Sequence, residues 1–92
     1  MLTIEKTTRF KKDFKMIVKR GYDPKLFEYV VTELANQHPL GAKYHDHALS
    51  GNWKGFRECH IQPDWLLIYL VENERLTLTL VRTGTHADLF HA

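Results

Sequence analysis

Apolar residues recur at helical spacing twice in the first third of the chain. Between Thr8 and Arg20, Phe10, Phe14, Ile17 and Val18 fall along one stripe, while Lys11, Lys15 and Lys19 repeat every fourth position on the other side. Gly21 follows Lys19 and Arg20 and is a natural helix stop. A second helix can then begin, with Asp23 as its cap and Pro24 at its first position. Its stripe is Leu26, Phe27, Val30, Val31 and Leu34, and it ends before Pro39. The short join at Gly21-Tyr22 predicts two antiparallel helices. Ahead of them, Leu2 to Lys6 is short and partly alternating, as in a first strand.

After Pro39 the period changes. Residues 38–54, with Gly41, Gly51 and three histidines, read as an irregular loop. Three strand-like runs follow: Phe56–Ile61, Trp65–Val71 and Arg75–Arg82. The short turns between them predict antiparallel hairpins. The middle run is almost wholly apolar, as a strand covered on both faces should be. In the third, Leu76, Leu78 and Leu80 alternate with Thr77 and Thr79, as in a half-covered neighbour. The ending, GTHADLFHA, is too short to assign. The order β-α-α-β-β-β predicts an α+β fold with two N-terminal helices packed on a mainly antiparallel sheet.

Composition narrows the class. Ninety-two residues make one domain, spanning 1–92. A domain of this size buries only about 60–65% of the surface of its unfolded chain. Its site must therefore be shallow. Cys59 is the only cysteine, which excludes an internal disulfide and fits a reducing cytoplasm. MLTIEKTTRF lacks a signal pattern, and the seven-residue run from Trp65 to Val71 is too short to span a membrane. A soluble cytoplasmic protein is expected. Residues 1–25 hold eight Lys/Arg against three acids, and residues 26–92 five against eight. The basic excess is a solvated helix face or a local phosphate-binding patch.

Several polar residues have no place in this core. His47 lies in the loop before the sheet, while His60 and Asp64 flank the turn at QPD. Arg82 ends the third strand and His86 follows it. An antiparallel third strand returns Arg82 and His86 toward Asp64. These types suit cleavage of RNA by its own 2′-hydroxyl, which needs a base, an acid and positive charge at the phosphate. Histidine can perform either proton transfer near neutral pH. Arginine matches phosphate oxygens, and Trp65 and Phe90 could stack on bases.

Each residue also has an ordinary reading. His60 and Asp64 suit a turn, Arg82 could lay its stem on the apolar face, and His86 or Asp88 could cap a turn. Trp53, Trp65 and Phe90 could equally be core or rim residues. Only their convergence favours chemistry. His45-x-His47 invites a zinc reading, but no Cys-x-x-Cys or His-Glu-x-x-His accompanies it. Cys59 should point away from His60, which argues against a Cys-His pair. Gly51, Gly55 and Gly84 do not form a phosphate loop.

The stretches DHALSGNWKGFRECHIQPDWLLIY (46–69) and RTGTHADLF (82–90) resemble the YafQ-type branch of the RelE superfamily, toxins of bacterial type II toxin–antitoxin pairs. Agreement in the N-terminal half is of pattern only. The resemblance implies a ribonuclease that cleaves messenger RNA in the ribosomal A site without metal or other cofactor. It places active-site histidines at His47, His60 and His86, the acidic residue at Asp64 and the phosphate-binding arginine at Arg82. The flanking aromatics fall on Trp65 and Phe90. It makes His86 the candidate general acid, with Asp64 and His47 or His60 on the base side. It also gives Lys11, Lys12, Lys15 and Lys19 a use in holding ribosomal RNA. A cognate antitoxin is the expected protein partner, with operator DNA reached only through it. A non-catalytic binding module and a ribosome-independent ribonuclease remain the alternatives.

Overall fold

The computed structural model describes residues 1–90. The elements run β1 (Thr3–Lys6), α1 (Thr8–Lys19), α2 (Pro24–Ala35), β2 (His47–Ala48), β3 (Arg57–Gln62), β4 (Trp65–Glu72), β5 (Thr77–Gly84) and α3 (His86–Phe90). Two single 3₁₀ turns, Ala42–Tyr44 and Gly51–Trp53, flank β2.

Both long helices start where local chemistry dictates. Thr7 Oγ1 accepts from the Phe10 N–H at 2.9 Å and donates to the Val81 carbonyl at 2.8 Å, so the cap also ties α1 to β5. The Asp23 carboxylate accepts from the Lys25 N–H, with Pro24 in the first turn.

The sheet order is β1-β5-β4-β3-β2. β1 pairs in parallel with β5, Thr3 opposite Thr77, and the other pairings are antiparallel. Phe10, Ile17, Phe27, Val30, Val31 and Leu34 of the helices pack against Trp65, Leu67, Tyr69, Leu78 and Leu80. The opposite face is smaller: Leu66, Ile68 and Leu89, with Leu49, Trp53, Phe56 and Val81 against them. β4 is thus covered on both faces, as its unbroken apolar run requires.

Several expectations are corrected. The stretch 38–54 is not wholly irregular, since it holds β2 and two turns, and within the unassigned ending residues 86–90 form α3. Leu76 is not part of the third strand's alternation. It occupies a turn at φ 51° and is exposed, with β5 starting one residue later. Arg82 does not keep the phase of Leu78 and Leu80 either. The register shifts so that Tyr69 faces Leu80 while Ile68 faces Arg82, leaving Val81 as the extra residue of a bulge.

Candidate active site

β2 and β3 build one wall of the site. His47 lies opposite Glu58 across the ladder, and His60, two residues on, shares the face of Glu58. Lys43, His45, His47, His60 and Pro63 line a cleft of about 510 Å³. The His60 ring centroid lies 5.3 Å from His45, 6.5 Å from His47 and 5.7 Å from His86. Glu58 is buried beneath them, 5% exposed. Its Oε1 is 3.6 Å from both His47 Nε2 and His60 Nε2, and its Oε2 is buried with no hydrogen-bond partner. The His45 carbonyl accepts from His47 Nδ1 at 2.6 Å, so in neutral His47 the lone pair is on Nε2, toward Glu58.

The other wall is α3, seated by side chains at both of its ends. Asp64, in the β3–β4 turn, accepts from the His86 backbone N–H at 3.0 Å and from His86 Nδ1 at 2.7 Å through the same oxygen. One carboxylate thus caps the helix and fixes the imidazole, committing Nδ1 as donor and leaving Nε2 for chemistry. The bond from the His86 backbone, followed by that from its ring, holds the Asp64 carboxyl below the ordinary carboxylate range. Thr85 and Asp88 form a reciprocal capping box at 3.0 and 3.2 Å. Asp88 also receives the Arg20 guanidinium at 2.7 and 3.2 Å. That fork, with the Thr85 bonds, takes the Asp88 pKa down to about 2.

The structure therefore brings His47, His60, Asp64 and His86 together. Asp64, however, does not belong with His47 or His60 on the base side, because its carboxylate is bonded to His86. Arg82 does not join the histidines. Its Nε and Nη2 bind Asp13 of α1 at 2.7 and 3.3 Å, in a second cleft of about 330 Å³ shared with Arg9, Lys12, Arg20 and Asp88. The Asp13 carboxylate holds it against α1. Trp65 is not a base-stacking platform. It is fully buried, with Tyr22 edge-on at 5.3 Å and its indole N–H bonded to Thr83 Oγ1 at 2.9 Å.

Phe90 is exposed on α3, and Lys11, Lys12, Lys15 and Lys19 are exposed on α1. Cys59 is buried in the helix-side core, where burial pushes its thiol pKa up and keeps it inert. Sequence reasoning missed Glu58 and Lys43, and weighed His45 only as a metal ligand. Strand alternation alone could have found Glu58, an acid on the same face as His60.

A histidine at the head of a short helix, held by an aspartate of the β3–β4 turn, faces a histidine–glutamate cluster on the sheet, and these are side-chain types that acid–base cleavage of RNA can use. The model of the YafQ family, described as bacterial toxin of type II toxin-antitoxin system, matches residues 2–91. The chain belongs to this family. It is 46% identical over 88 residues to the mRNA interferase toxin YafQ of Escherichia coli K12, covering 95% of this chain and 94% of that protein. A metal-bound toxin from Helicobacter pylori superposes with a TM-score of 0.93 at 52% identity, covering 98% and 100% of the two chains. YafQ in its complex with DinJ from E. coli superposes with a TM-score of 0.88 at 44% identity, covering 98% and 99%. Among the described residues of this chain, no three His, Cys, Asp or Glu side chains converge closely enough as they stand to hold a metal ion. No helix there is long and apolar enough to cross a membrane.

Proposed function

We propose that this chain is a messenger RNA endoribonuclease that acts on translated message in the ribosomal A site. His86, oriented through Nδ1 by Asp64, carries the reading. In cleavage by the neighbouring 2′-hydroxyl, a base removes the 2′ proton as that oxygen attacks phosphorus. The bond from phosphorus to the 5′-oxygen breaks, and an acid protonates the departing oxygen. His86 Nε2 is the acid, since Asp64 stabilises the imidazolium that holds the proton. His47 or His60 is the base, with Glu58 beside both to receive positive charge. Lys43 and imidazolium meet the phosphate on this side, and Arg82 can offer only the guanidinium edge that Asp13 leaves. Both proton transfers are assigned to this chain's own side chains, so no cofactor enters the scheme.

Phe90, exposed beside His86, is the remaining candidate for stacking on a base. The lysines of α1 serve ribosomal RNA. A cognate antitoxin restrains the enzyme, as the E. coli complex suggests by family membership, and operator DNA is met only through that protein. The site of action, translated message, places it in the cytoplasm.

The test is a cell-free translation reaction in which 5′ ends of a reporter message are mapped, with an untranslated copy beside it. In-frame cuts that require both translation and His86 support this reading. Cuts on the untranslated copy make the chain a ribosome-independent ribonuclease. No cuts from folded protein leave a binding module.

A further inference from the structure

The second cleft is built from two crossed ion pairs on one stripe of α1. Asp13 and Arg20 are seven residues apart, two helical turns, and so share a face. Asp13 holds Arg82 and also accepts from the Thr83 backbone N–H at 3.2 Å. Arg20, at the C-cap of α1, forks onto Asp88. The helix thus grips the segment 82–88 at both ends, 68 to 70 positions away in sequence. His86 lies inside that span, two residues before Asp88. The two side chains leave α3 on opposite sides, since successive residues turn by about 100°.

Little else anchors α3. It has five residues and one buried side chain, Leu89. A helix this short has no stability of its own. Its position is set by the Asp64 bonds, the Thr85–Asp88 box, Leu89 and Arg20. Gly84 confirms how closely Asp88 is drawn in, because a Cβ there would meet the Asp88 Cβ at 2.9 Å. The Asp88 carboxylate accepts three hydrogen bonds, two of them from Arg20.

We propose that Arg20 and Asp13 are positioning residues of the cleavage reaction: α1 splints the segment 82–88 so that His86 Nε2 stays in register with the scissile phosphate. Neither residue touches substrate. This inference rests on His86 being the proton donor. Misplacing a reacting group by about 1 Å can cost up to about 100-fold in rate, so loss of either contact should lower turnover far more than RNA affinity.

The experiment uses the full chain in the translating system, at saturating and limiting ribosome concentrations. Arg20→Gln and Asp88→Asn are each expected to slow cutting about 10- to 100-fold at saturation, with the half-saturating concentration unchanged. Asp88→Asn is informative because the amide oxygen can still accept from Thr85 while the ion pair is lost. Arg20→Lys should restore part of the rate. The Arg20→Gln, Asp88→Asn double variant should be no slower than either single one, the signature of two residues acting through each other. Asp13→Asn should fall in the same direction.

In NMR spectra the proton between His86 Nδ1 and Asp64 should exchange faster in Arg20→Gln than in wild type, at a temperature well below both thermal midpoints. His86→Gln runs as the reference. If it is inactive while Arg20→Gln and Asp13→Asn cut at the wild-type rate, the splint is wrong and the proton donor stands. If His86→Gln cuts normally, the proton donor and the splint both fall.

Discussion

On one flank of α3, Asp13, Arg20, Arg82 and Asp88 close on one another at 2.7 Å, and each charge has an opposite partner. On the other flank, Glu58, His47 and His60 meet at 3.6 Å, with one carboxylate oxygen buried and unpartnered. The two clefts draw on similar side chains and treat them oppositely. Paired charges fix a position and have little left to offer a reactant. Buried polar groups left unsatisfied are rare in proteins and call for a reason, which the proposed proton transfers would supply. Asp64 and His86 stand at the boundary, a fixed pair with one nitrogen left open.

The contrast is broken most severely at His86. Replacing it with glutamine should reduce message cleavage by about 10²- to 10⁴-fold, the usual worth of a general acid. The ring is half exposed, so the thermal midpoint should hardly move. Mapped 5′ ends and a melting curve on the same sample decide the point.

Glu58→Met sharpens the histidine side. A buried, unsatisfied carboxylate oxygen carries a penalty of about 1–3 kcal/mol, so its removal should raise the thermal midpoint by several degrees while cleavage falls about tenfold or more. A lower midpoint would show that Glu58 is part of the scaffold after all.

Trp65→Phe should do the reverse. Losing the indole N–H to Thr83 and some packing costs about 1–3 kcal/mol of stability, while the rate per folded molecule stays within about twofold. Weaker RNA binding at unchanged stability would return Trp65 to the substrate.

The smallest effect is on the arginine side and is lost in acid. The Asp88 pKa falls from an ordinary 3.8 to about 2 in the fold, chiefly through the Arg20 fork. A depressed carboxylate contributes stability that is complete above 3.8 and is lost as pH falls through the folded value. The difference in thermal midpoint between wild type and Asp88→Asn should therefore shrink below pH 4 and vanish only below about pH 2. Asp64 shifts in the same direction and should follow the same course.

Much of the fold was readable because its signals are local. Thr7 and Asp23 cap their helices, Pro24 opens α2, and the run from Trp65 to Tyr69 is buried as a central strand must be. The histidines of the site were readable because hairpin geometry forces His60 and Asp64 together. What could not be read was side-chain direction after a bulge, so Arg82 was expected beside Asp64 and instead meets Asp13. Trp65 illustrates a second limit. A tryptophan at a strand start fits a stacking platform or a core equally well until Tyr22 is seen against it. α3 was invisible because five residues carry no helical period, and its caps come from Thr85 and from Asp64 in a distant turn.

The parallel pairing of β1 with β5 has a consequence in time. Thr3 finds its strand partner, Thr77, only after another 74 residues have been made. At about 5–20 residues per second, that takes roughly 4–15 s. Through that interval the first strand has no neighbour, and α1 and α2 lack the β4 and β5 surfaces they bury. The N-terminal half therefore cannot mature first and wait. The β1–β5 pairing, and with it the surface that both helices bury, waits for the last strand. His86 is made later still, so the cleft stays incomplete for as long as the sheet does.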